Sequence, residues 1–262
     1  MARISTIKFG DVPQVIVDKI LRVMVECYEI VGAPMGDSVD LHIYEKAEAE
    51  TFFATHNALE GKPRISVYLD KIVELPEIVS LAGIRRQAAH SVLHGSLKYY
   101  LVAFPKELVR AMKQYDLPKD YATSVLYGTA MAAKEYKVTH ILYEKNFVED
   151  QVAYVKYILE PSNEETLAWE LALRHRLEKI LYLGATIRDI SCAVPLTRDE
   201  RFGAEIRDHI ERRIACVAPA YRSMMQGIIY ERFSLLGTDT LENIGLTTKF
   251  MIEEIIDREL GG

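Results

Sequence analysis

An α+β fold, mainly α, is predicted for this chain, and three observations carry the expectation. Two short segments, Val39 to Tyr44 and Arg64 to Leu69, alternate apolar and polar residues as half-buried strands do. Most of the remaining chain repeats its apolar residues at three and four, the period of an amphipathic helix. Beyond residue 160 only the helical period occurs.

Each element follows from its residues. Val12, Val15, Ile16, Ile20, Val23, Met24, Cys27, Tyr28 and Val31 define an opening helix over 12–31, ended by Gly32-Ala33-Pro34. Val39-Asp40-Leu41-His42-Ile43-Tyr44 is the first strand. Ala47 to Leu59 is expected to be a helix closed by Gly61 and Pro63. Arg64-Ile65-Ser66-Val67-Tyr68-Leu69 is the second strand. Pro76 then opens a helix running to about Ala103, with Pro105 as its stop. Helices follow near 106–115 and 119–136, Val138 to Tyr143 fits strand or loop, and 147–159 is again helical.

Glu160-Pro161-Ser162-Asn163 marks a boundary. Lysine outnumbers arginine before it, and nearly every basic residue after it is arginine. Ser162 or Asn163 caps the next helix, with Glu164 and Glu165 favourable in its first turn. Helices are expected over 163–183, 198–217, 219–236 and 246–260. The predicted organisation is an α+β domain at 1–160 and a helical domain at 161–262.

The formal net charge of −6 gives no global attraction to nucleic acid or to an anionic membrane. The arginines of the last hundred residues alternate with acids at helical spacing, the pattern of an ion-paired face. Cys27, Cys192 and Cys216 lie far apart and read as reduced core residues. Met1-Ala2-Arg3-Ile4-Ser5 carries no basic-then-apolar leader, and no apolar run approaches the roughly 20 residues that cross a bilayer. The expected location is cytoplasmic.

The sharpest chemical feature is Arg85-Arg86-Gln87-Ala88-Ala89-His90-Ser91-Val92-Leu93-His94-Gly95. His90 and His94 are four apart on a helix, so both imidazoles share one face, the arrangement that grips a metal ion with two nitrogens. With seven histidines in the chain, chance alone supplies roughly 0.2 pairs at this spacing, so the pair can equally be two satisfied core residues. Arg86 falls on the same face, one turn earlier, where it holds an anionic group or positions the helix.

Strand, short link, long helix and histidine pair, in that order, resemble the core of the zincin metallopeptidases, in which an edge strand precedes the helix that carries HExxH. The resemblance covers roughly residues 39–160. It implies zinc as cofactor, with His90 and His94 as ligands and a third ligand on a later helix. Glu149 ranks first for that place, as in the gluzincin branch, then Glu144, then His140. If Asp150 marks the position used by another branch, the ligand slot holds Asn146. Ser91 stands where the family has its general-base glutamate, and a serine hydroxyl is neither basic nor charged near neutral pH. The expectation is a pseudoenzyme whose cleft, with Arg86 and Ser91, binds a peptide or protein partner. The alternatives are a metal-dependent hydrolase drawing its base from outside the motif, and a helical interaction protein in which the histidine spacing is coincidental. A homo-oligomer is compatible with each.

Overall fold

A computed structural model describes residues 3–36, 38–49 and 51–261. In chain order its elements are β1 (Arg3–Phe9), α1 (Gln14–Val31), β2 (Ser38–Tyr44), β3 (Ala54–Asn57), β4 (Arg64–Tyr68), α2 (Leu69–Ile72), α3 (Glu77–His94), α4 (Lys106–Tyr115), α5 (Lys119–Glu144), α6 (Glu149–Ile158), α7 (Asn163–Ala172), α8 (Arg176–Ser191), α9 (Gly203–Arg213), α10 (Pro219–Tyr230), α11 (Thr240–Met251) and α12 (Asp257–Leu260). Helix accounts for 65% of the chain and strand for 9%, so the fold is α+β and mainly α.

The chain divides into two compact units. The first holds residues 1–102 and 138–157, and the second holds 103–137 and 158–262. Helix α5 therefore contributes to both, and residues 103–137 group with the C-terminal helices.

In the first unit the sheet order is β1-β2-β4-β3, with β3 antiparallel to β4 and the other pairs parallel. Parallel neighbours need a crossover, and α1 supplies it between β1 and β2. Val39, Leu41 and Ile43 of β2 and Ile65 and Val67 of β4 are buried on one face. Helix α3 packs against β3, β4 and α1. It is buried continuously from Ala82 to Ser91, so its polar residues must find partners inside the protein.

Several expectations are corrected here. Ala47 to Leu59 is not a helix, since Ala54–Asn57 forms β3. Pairing with β4 and the burial of Phe53 outweigh local helical preference. The strand before α3 is an inner one, and β3 is the edge. Strand β1 lay outside every expectation because nearly all of it is exposed, so it shows no burial-driven alternation. Val138 to Tyr143 is the last part of α5, where Val138 and Leu142, four apart, are both buried. Asn146 closes that helix at φ +63°, with the Phe147 amide donating to the Leu142 carbonyl.

The second unit is helical throughout its described residues. The expected 163–183 helix is two helices, α7 and α8. The expected last helix begins earlier, at Thr240, where the Asp239 carboxylate accepts from the Leu241 and Glu242 amides. Among the described residues no helix is long and apolar enough to cross a membrane.

Candidate functional site

Helix α3 divides its polar side chains among three neighbours. Toward α1, the Ser91 hydroxyl donates to the Ala88 carbonyl at 2.7 Å and bonds the Tyr28 hydroxyl at 2.9 Å. Ser91 is completely buried. Burial pushes the Tyr28 phenol upward, although the Ser91 bond opposes the rise. Beside it, burial pushes the Cys27 thiol up to about 12 despite the nearby Arg85 cation, so it is an inert core thiol.

Toward α6, Arg85 pairs with Asp150 and, at 2.7 Å, with Glu26 of α1, and its guanidinium lies over the Phe147 ring. Arg86 is completely buried. It donates to the Thr139 hydroxyl at 2.7 Å and to Gln151 Oε1 at 3.0 Å, with the Tyr154 ring 4.7 Å away. These arginines join α3 to α5 and α6, and neither Arg86 nor Ser91 lines an open surface.

Toward β3 lie the histidines. His94 is completely buried and His90 nearly so. Their Nδ1 atoms are 3.1 Å apart. At that distance two ring nitrogens share either a proton or a cation, because two lone pairs or two N–H groups would repel. His56 of β3 stacks on His90 with ring centroids 5.9 Å apart, and the Tyr100 hydroxyl lies 2.7 Å from His56 Nδ1. Tyr99 meets the His94 ring edge-on at 5.3 Å.

Two glycines permit this packing. A Cβ on Gly83 would collide with the far edge of the Phe53 ring, so glycine lets the segment before β3 approach the helix closely. A Cβ on Gly95 would overlap the Ser91 carbonyl, which receives the Met35 amide at 2.9 Å, and would meet Pro63 at 2.8 Å.

No protein-family model, no curated protein and no solved structure matches this chain. The site therefore rests on its own geometry.

His90 and His94 are brought together. Glu149 opens α6 with its side chain exposed, while Asp150 and Gln151 are the residues directed at α3. Glu144 and His140 pair with each other along α5 at 3.4 Å. Asn146 serves the end of α5. Among the described residues no group of three His, Cys, Asp or Glu side chains is arranged to hold a metal ion. His56 and Tyr100 join the cluster without any spacing signal of their own.

The helical unit has a separate concavity of about 440 Å³, lined by residues including Tyr127, Leu181, Arg188 and Met251. It carries none of the histidines.

Proposed function

We propose that the first unit is a zincin-like module without peptidase activity, and that it binds a peptide or protein partner beside the histidine cluster. One observation carries the reading: Ser91, at the place of the family's general base, is fully buried and tied to Tyr28 and to the Ala88 carbonyl. The residue there neither carries a carboxylate nor faces a substrate. The sheet lying against the helix that bears His90 and His94 supports the zincin part, while the strand directly before that helix is an inner one and departs from the family's order. That placement also weakens the reading in which the pair is coincidental. An extended peptide pairs with the outer edge of β3, the terminal strand of the sheet. Zinc on His90 and His94 is compatible with this role and is not required by it.

The test has two parts. Quenched fluorogenic peptide pools are incubated with the zinc-treated chain, and no turnover above the blank is expected. The same pools, immobilised, are expected to retain the chain, and Ala54→Pro in β3 is expected to reduce retention at least tenfold. Turnover that copurifies with the chain would put the hydrolase reading first. Retention untouched by Ala54→Pro would move the binding surface away from β3.

A further inference from the structure

We propose that the concavity of the helical unit binds a small aromatic carboxylate that carries a hydroxyl at the end opposite its acid group. The proposal goes beyond the peptide-binding reading and stands without it.

The first support is a buried polar atom. Thr247 of α11 is 3% exposed, and among the described residues its hydroxyl meets no hydrogen-bond partner. A buried hydroxyl left unmade is destabilising, and a helical threonine can turn instead to the carbonyl four residues back. Its neighbour Thr248 does so, donating to the Ile244 carbonyl at 2.8 Å. Thr247 lines an inner cavity of about 10 Å³, the size of one hydroxyl group or water. Gly128, Thr129, Gly184 and Met251 line both this cavity and the outer concavity of about 440 Å³, so the two adjoin. The Thr129 hydroxyl is already engaged with that of Thr248 at 2.8 Å, which leaves Thr247 to meet a polar group entering from outside.

The second support is the lining. The outer space falls in the range of about 300–1,000 Å³ typical of small-molecule sites. A Cβ added to Gly128 of α5 would meet nothing beyond its own helix within 4 Å, so bare backbone borders open space there. A Cβ on Gly184 of α8 would lie 2.8 Å from Met251 Cε. Two bare stretches of helix suit a flat ring, and the flexible thioether of Met251 suits its edge.

The third support is the charge at the mouth. Arg188 is one turn beyond Gly184 on α8 and lines the outer concavity but not the inner cavity. Its side chain is 37% exposed. Asp189 accepts from its Nε at 2.9 Å and its Nη2 at 2.8 Å, and the same carboxylate also pairs with Arg213. Among the described residues Nη1 has no partner, so it can donate to a ligand carboxylate. The acid group then sits at Arg188, the ring against the glycines, and the hydroxyl at Thr247.

The test titrates the full chain by isothermal calorimetry with para-hydroxybenzoate, para-hydroxyphenylacetate and para-hydroxyphenylpropionate, which space the two polar ends differently. At least one is expected to bind, one molecule per chain. It should bind about tenfold more tightly than its analogue without the hydroxyl, and about tenfold more tightly than its neutral amide. Gly128→Leu fills the space and is expected to abolish binding; Gly128→Ile serves if the leucine form loses its far-UV circular dichroism. Arg188→Met should weaken the acid about tenfold and leave the amide within twofold. Thr247→Val should bring the ligands with and without the hydroxyl within twofold of each other, without lowering the melting temperature. Failure of all three acids to bind, unchanged affinity in Gly128→Leu, or a hydroxyl preference kept in Thr247→Val would overturn the site. Octanoate bound as tightly as the phenolic acids would overturn the aromatic assignment and put a fatty acid there instead. Each readout is independent of whether peptides are retained.

Discussion

Replacing Ser91 by glutamate restores the letters of the peptidase motif, and the structure predicts that it damages the fold instead. Ser91 is fully buried, against Tyr28 on one side and the Ala88 carbonyl on the other. Glutamate adds three heavy atoms there, an overpacking cost of about 1–3 kcal/mol. Its carboxyl also enters a fully buried position, where burial raises a carboxylic pKa by up to 3–5 units. In the unfolded chain the introduced carboxyl titrates near 4.3, and each unit of upward shift in the folded state costs about 1.4 kcal/mol once the pH exceeds the folded value. The folded state then binds the proton more tightly than the unfolded state, so stability is lost as pH rises from about 4.3 through the folded pKa. A shift of about 3 units gives a total loss of about 2 kcal/mol at pH 4 and about 6 kcal/mol at pH 8. Ser91→Gln has the same shape without the charge and separates the two terms. Urea unfolding followed by circular dichroism, from pH 4 to 8, should show the two variants equal at low pH and diverging as pH rises. Equal stability of both at every pH, or peptide hydrolysis gained by Ser91→Glu, would refute the placement of this side chain.

Other perturbations test the same frame. Gly83→Ala puts a methyl group into the Phe53 ring, so a net loss of about 1–2 kcal/mol in urea unfolding is expected even though alanine favours helix. Arg86→Met removes the donor shared by Thr139 and Gln151, and a loss of about 3 kcal/mol or more is expected; an unchanged unfolding midpoint would show that this bridge does not tie α3 to α5 and α6. In the helical unit, Lys179 pairs with Glu259 at 2.6 Å and both contact the Tyr221 hydroxyl. Burial alone would raise the Glu259 pKa, but hydrogen bonds from Lys179 and Tyr221 carry it below its ordinary value. Burial likewise opposes the Lys179 charge, yet the bonds to Glu259 and Tyr221 leave its pKa raised. Glu259 therefore contributes stability above about pH 4.3 that is lost in acid, and Lys179 contributes stability that is lost above about pH 10.4. Lys179→Met should flatten both limbs of the thermal-stability profile against pH, and a profile unchanged at both ends would contradict the pairing.

Much of the fold was legible because burial writes a period into sequence. The alternation of Val39, Leu41 and Ile43 marks β2, and the apolar stripe of α1 marks its length. What failed had no such period or had a misleading one. Strand β1 is held by backbone pairing to β2 and is exposed on both faces, so no side-chain rule reports it. The β-branched Val138, Thr139 and Ile141 argued against helix, yet α5 continues through them and Thr139 receives Arg86 from α3. The break between α7 and α8 falls at Leu173-Arg174-His175, where neither glycine nor proline announces it. At the site, spacing exposed His90 and His94 because one helix carries both. His56 and Tyr100 were invisible because a sheet edge and the turn after α3 bring them in, and neither contact leaves a local pattern.

The distribution of satisfied charge argues for placing the chemistry in the first unit. Several arginines of the helical unit are engaged: Arg213 with Glu165 and Asp189, Arg110 with Asp257, Arg232 with Glu254, and Arg222 with the Ala215 and Val217 carbonyls. A phosphate would have to compete with those partners, so the arginine-rich composition of residues 161–262 supports packing rather than recognition. The histidine cluster differs in kind. Its rings meet one another across a helix and a sheet edge, and two of their nitrogens stand at a distance that a shared proton or a shared ion must explain. Arg86, which sequence spacing placed on the histidine face, directs its guanidinium to Thr139 and Gln151, and its neighbour Arg85 pairs with Asp150 and Glu26. The charge of Arg85 and Arg86 is thus spent on holding α3 against α1, α5 and α6, and His56 of β3 stacks on His90 from the other side.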